Sequence, residues 1–242
     1  SSAYEAGYKT GMAGKDAFKN PGFIISPLDF RISDDDLIRG LTDAAGHDIM
    51  VAGGVSGNPE DFSGIVFTND VSSTGGLLSL IIDQDKISIS GLAVSGWKPV
   101  GTSKKITKSE GSWVFTIDNE PAMQVIQRYL GDEIVISTTQ ATGLVPSDLG
   151  YPLQFERASG SAIMKPALLL NPADQSIMMG GEVNEGDHFR FSLPPDFDVI
   201  DQVIESTRII KKQEMPDSDV LFVFSCVGRL GTFGPLISTE IE

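Results

Sequence analysis

The sequence predicts an α+β fold: two packed halves, each with largely antiparallel or mixed sheet flanked by helices. Three observations carry this. Strand-like runs follow one another at 64–69, 77–83, 86–94, 104–107 and 113–117, then again at 153–157, 162–170, 176–183 and 188–193. They outnumber the helical patterns, and hairpin-length connections dominate, which favours antiparallel pairing over a doubly wound parallel sheet. Between the two series lies 132–150, where Gly143, Pro146 and Gly150 sit among polar residues. It reads as a connector between an N-terminal domain, 1–131, and a C-terminal domain, 151–242.

In chain order, 1–18 reads as a helix with Ala3, Gly7, Gly11 and Gly14 on one side. Small residues at steps of three and four allow another backbone to approach closely, although each glycine costs a helix about 1 kcal/mol. A strand is expected at 22–30. Ser33 then caps a helix whose first turn is Asp34, Asp35 and Asp36, three carboxylates at the positive end of the helix dipole. Leu37, Ile38, Leu41 and Ala45 give that helix a buried face, and Gly46 stops it. A buried strand at 48–55 ends in Gly53, Gly54 and Gly57. Asp85-Lys86 reads as a tight link between strands. A helix over 120–130 has Pro121 in its first turn and Gly131 after its last. In the second half one helix covers 197–211, with Phe197, Ile200, Ile204 and Thr207 at helical spacing. The run VLFVFSC, 220–226, reads as a buried strand that carries Cys226 to its end, with Gly228 and Arg229 just beyond.

The 242 residues hold 18 Lys+Arg against 33 Asp+Glu, a formal charge of −15. That charge repels nucleic acid and anionic membrane surfaces, so neither is expected as a partner. No apolar run approaches the roughly 20 residues that span a bilayer. The small, polar start does not read as a signal peptide. The single cysteine cannot form an internal disulfide, and a reducing, cytoplasmic setting is expected. Two histidines and one cysteine, far apart, give no metal-ligand spacing. No nucleophile elbow, HExxH or paired catalytic carboxylates stand out, so no enzymatic activity is expected.

Several residues invite a ligand. Gly53 and Gly54 let a backbone approach a ligand closely, or simply make a turn, but no GxGxxG and no Walker lysine accompanies them. Trp97, between Gly96 and Pro99, belongs either to a pocket rim or to a core that pins a turn. Lys165 interrupts the apolar run 162–170 and must reach solvent, an acid or a ligand. Arg229 has the fork that grips a carboxylate through two bonds, or it lowers the Cys226 thiol pKa. Cys226 is either a nucleophile, which needs a base that neither His47 nor His188 visibly supplies, or a buried inert thiol. Haem needs one axial histidine, so His188 or His47 leaves a haem site open.

MVAGGVSG at 50–57, GLAVSGWKPVG at 91–101, Ile106-Thr107 and TIDNEPAMQVIQRYLG at 116–131 resemble the N-terminal FIST (F-box and intracellular signal transduction) pattern. YPLQF at 151–155, MKPALLL at 164–170, GEVNEGDHFRFS at 181–192 and FSCVGR at 224–229 resemble its C-terminal pattern. The family commonly has arginine where Lys165 stands. It also usually continues into a closing helix and a further strand, so a pocket wall is expected to be missing here.

The resemblance implies a sensory module that binds small ligands, amino acids being one proposal, and signals to a downstream protein. Some bacterial relatives resemble haem-based nitric oxide sensors, and eukaryotic ones carry an F-box, which is not visible here. The expectation is therefore a small-ligand sensor with a pocket between the halves. Arg229 and Lys165 would hold a carboxylate, Gly53 and Gly54 admit the ligand, Trp97 and Thr107 flank it, and Cys226 lie at the base. A haem sensor using His188 or His47 and a thiol-dependent enzyme at Cys226 are the alternatives. The oligomeric state is left open.

Overall fold

The computed structural model describes residues 2–28, 34–57, 63–131, 145–146, 151–157, 162–193, 198–226, 228–229, 234 and 238. The expected cap Ser33, the helix start at Phe197 and almost all of the connector lie outside them. The chain divides into two compact units, Ser1–Ala93 with Glu205–Ser225, and Val94–Ile204 with Cys226–Glu242. Both combine helices with sheet, giving the α+β class.

The first unit opens with α1 (Ala3–Ala17), capped by the Ser2 hydroxyl, which accepts the Glu5 N–H. Then follow β1 (Pro21–Leu28), α2 (Asp34–Ala45), β2 (Val51–Gly53), β3 (Val66–Phe67), β4 (Ser72–Ser73) and β5 (Gly76–Asp83). The small face read from the sequence does its expected job: Gly7, Gly11 and Gly14 are the buried residues of α1, which packs on α2. Sheet order is β2-β1-β5. β1 runs parallel to β2, with Ile25 opposite Gly53, and antiparallel to β5. Thus β1, α2 and β2 form a βαβ unit, because parallel neighbours need a crossover and α2 supplies it. Phe23, Ile25, Leu37, Leu41 and Ala45 form the core beneath.

The second unit contains β6 (Lys98–Glu110), β7 (Trp113–Ile117), β8 (Glu120–Pro121), α3 (Ala122–Leu130), β9 (Val145–Pro146), β10 (Leu153–Phe155), β11 (Ile163–Lys165), β12 (Ala167–Asn171), β13 (Ser176–Met179) and β14 (His188–Leu193). These make one sheet, ordered β11-β10-β14-β6-β7-β13-β12-β9, with β8 paired to β7. Every pair in it is antiparallel. β7 and β8 are joined by Asp118-Asn119, both at positive φ (50° and 67°), the backbone a two-residue hairpin requires. The core holds Ile106, Ile117, Val125, Ile126, Phe155 and Phe189 among its members. A chain of rings runs through it: Phe155 to Phe189 at 5.5 Å, Phe189 to Phe191 at 5.5 Å, and Phe191 to Tyr129 at 4.5 Å. The last helix, α4 (Asp198–Gln213), contains the division between the units.

Two strand expectations fail. Residues 86–94 form no strand: after the turn at 84–86 the chain has no ladder partner. Residues 220–226 form no strand either, and they are exposed rather than buried; Leu221 is 74% and Phe224 47% accessible. β-propensity and hydrophobicity favour a strand here, but a strand exists only where a neighbouring edge pairs with it. Cys226 is correspondingly exposed, not the buried thiol one reading expected.

Candidate functional site

The predicted site residues divide between the units. Gly53 and Gly54 belong to the first; Trp97, Thr107, Lys165, Cys226 and Arg229 belong to the second.

In the second unit Arg229 is 5% exposed. A buried guanidinium must be hydrogen-bonded. Its Nη1 donates to the Ser95 carbonyl at 2.8 Å and lies 3.5 Å from the Val94 carbonyl. The guanidinium carbon stands 5.9 Å from the centre of the Trp97 ring, within cation–π range. Gly96, at φ 79°, gives the turn that brings both carbonyls and the indole to one arginine. The Gln154 amide donates to the Trp97 carbonyl at 3.0 Å, tying this turn to β10. Trp97 is half-buried, as a rim residue would be. The Arg229 N–H donates to the Cys226 carbonyl at 2.9 Å, so the exposed thiol sits one turn before the arginine.

Lys165 is also buried, at 7% exposure. Its ammonium donates to the Glu182 carbonyl and lies 5.6 Å from the centre of the Phe155 ring. Lys165 pairs with Leu153 across β10 and β11, and cross-strand partners share a face. Lys165 therefore projects on the Leu153 and Phe155 side, while Gln154, which reaches the Trp97 turn, projects on the other. Thr107 has a local task. Its hydroxyl lies 2.7 Å from that of Thr116 and accepts the Asn119 N–H at 2.9 Å, which holds the Asp118-Asn119 turn. Asp118 completes that corner: its carboxylate accepts the Lys105 N–H at 3.0 Å and pairs with Lys104 at 3.1 Å. The Lys105 N–H first, and then Lys104, hold the Asp118 carboxyl below its usual value.

In the first unit Gly53 and Gly54 border a cavity of about 250 Å³ at the carboxyl ends of β1 and β2. Ile25, Leu37 and Val51 line it with the side chain of Asp34. A β-carbon on Gly53 would stand 1.9 Å from the Ile25 carbonyl oxygen, so glycine is required for the two strands to pair here. Asp34 is exposed as a residue, yet burial of its carboxyl pushes that group up to about 6, with the Asp35 charge adding. The sequence marks Asp34 only as one of three first-turn acids at the positive end of the helix dipole; the hollow beside it has no sequence signal.

His47 is exposed just past α2, and His188 is exposed on β14 opposite Lys105. Among the described residues no group of three or more His, Cys, Asp or Glu is placed to hold a metal ion. None of the described helices is long and apolar enough to cross a membrane.

Comparison with known protein families gives two matches. Residues 3–120 match the FIST N domain and residues 122–242 match the FIST C domain. No curated protein and no solved structure matches the chain.

Proposed function

Since this chain belongs to the FIST family, whose domains are sensory modules of signal transduction and not a known enzyme family, we propose that it signals the presence of a small carboxylate such as an amino acid. The observation that carries this reading is Arg229, a buried guanidinium set against the face of Trp97. A planar cation beside an aromatic plane suits a planar anion, which takes paired N–H bonds from the guanidinium while its apolar part rests on the indole. In a chain of charge −15, a recessed cation also concentrates field where an anion must arrive.

Trp97 supplies the apolar wall, and the Gln154 bond to its carbonyl keeps the wall in place. Cys226 is a bystander close enough to report occupancy. Lys165 contributes by fixing the end of β11 to the segment at Glu182. Occupancy reaches a downstream signalling protein through the turn at 94–97, whose carbonyls Arg229 holds.

Calorimetry against amino acids and two- to five-carbon carboxylates tests the proposal. At least one binds, Arg229→Gln abolishes the heat, and the ligand slows alkylation of Cys226 in the unmodified protein. No binder in the panel, or affinity untouched in Arg229→Gln, overturns it. Alkylation of the natural sequence keeps the test valid even if Arg229→Gln fails to fold.

A further inference from the structure

The cavity of the first unit poses a separate question. In βαβ units the crevice beyond the carboxyl ends of parallel strands is the usual place for a ligand, because the chains diverge there and the crossover helix begins above them. Here β1 and β2 are the parallel pair and α2 is the crossover. The hollow lies at that end and measures about 250 Å³. At roughly 30 Å³ per liquid water, that is room for about eight waters or a ligand of about six to eight non-hydrogen atoms.

Its lining selects chemistry. Ile25, Leu37, Ile38 and Val51 present hydrocarbon, and among the described residues Asp34 is the one ionisable side chain on the wall. The Asp34 carboxyl forms no hydrogen bond or ion pair with the described residues. Among the described residues, the charged groups beside it on α2 are Asp35, and Asp36 with its ion-pair partner Arg39. The wall segments of β1 and of 51–55 carry no charge. A carboxylate ligand would meet three acidic residues in the first turn of α2, a repulsion larger than the attraction of one helix end. A neutral hydrocarbon would desolvate Asp34 and leave it unpaired. An ammonium group satisfies the carboxylate, and a branched hydrocarbon fills the remaining wall.

We propose that this cavity binds a small primary amine with a branched apolar body, its ammonium on Asp34 and its hydrocarbon between Ile25, Leu37, Ile38 and Val51. The site is independent of the carboxylate reading above. The Asp34 carboxyl fits that role: burial first, and then the Asp35 charge, push it up to about 6, and an adjacent ammonium would offset both.

The probe is 3-methylbutylamine, which has six non-hydrogen atoms, with 3-methylbutanol and 3-methylbutanoate as controls. Methyl-labelled protein is titrated at pH 7 and followed by NMR. The amine shifts the Ile25, Leu37, Ile38 and Val51 methyls saturably, and both controls bind at least tenfold more weakly. Asp34→Asn, which removes a charge without changing the side chain's size, weakens the amine tenfold or more. The proposal is overturned by three results: no saturable shift at these methyls, equal binding of the alcohol, or full affinity in Asp34→Asn.

Discussion

Gly7 lies so close to Leu37 that a β-carbon on it would stand 2.0 Å from the Leu37 carbonyl oxygen. The contact is reciprocated from α2, where a β-carbon on Gly40 would stand 2.1 Å from the Tyr4 carbonyl oxygen. The two helices therefore meet backbone to backbone. A side chain as small as alanine must push them apart and loosen the Phe23 and Leu41 core beneath. Gly7→Ala and Gly40→Ala are each expected to cost about 1–3 kcal/mol, the usual range for overpacking. Alanine's better helix propensity offsets at most about 1 kcal/mol of that. Urea unfolding measures it; an unchanged midpoint for both variants contradicts the close approach.

Neighbouring glycines at the end of β2 are expected to behave differently. Gly53→Ala collides with the Ile25 carbonyl and breaks the parallel pairing. A β-carbon on Gly54 makes only ordinary contact, 3.5 Å from a Phe224 ring carbon. The first variant should lose about 1–3 kcal/mol. The second should stay within about 0.5 kcal/mol of the parent. Equal loss in both would show that the turn needs glycine for its conformation rather than for space.

The raised Asp34 carboxyl predicts a definite pH dependence. The folded chain holds this proton more tightly than the unfolded chain does, since its value rises from 3.8 to about 6. The stabilisation it provides is full below about pH 4 and is lost as pH rises towards and through about 6. Asp34→Asn removes that dependence. The variant's melting temperature relative to the parent should therefore climb between pH 4 and pH 6 and level off above. A difference that is flat with pH, or that falls, contradicts the assignment.

How much of this was legible in the sequence depends on the type of signal. Local signals held: the three acids and Gly46 bracket α2, Trp113–Ile117 is a strand with the expected bounds, and Gly7 and Gly11 of α1 face its partner helix. These features follow from dihedral preference and periodicity, which act within one element. The run at 220–226 was misread because its sequence reports affinity for a sheet but not whether an edge is there to take it. The same limit applies to the site. Arg229 and Trp97 were singled out from sequence, but the carbonyls of Val94 and Ser95 that hold the guanidinium carry no side-chain signature. Thr107 was grouped with the ligand residues by its motif, whereas its hydroxyl serves the turn at Asp118-Asn119. Nothing local marks Asp34 as facing a hollow, because that hollow exists only once β1, β2 and α2 are assembled.

Trp97 emission offers the most direct test of the central claim, that Arg229 holds a small carboxylate against the indole. With Trp113→Phe as background, Trp97 is the only tryptophan left of the two in the chain. Titration with the carboxylates and amino acids of the calorimetric panel should change its emission saturably for at least one of them. The matching alcohols should leave it unchanged, and Arg229→Lys should weaken the response because a point charge replaces the planar fork. Emission indifferent to every carboxylate, or a response that persists unaltered in Arg229→Lys, would contradict the account.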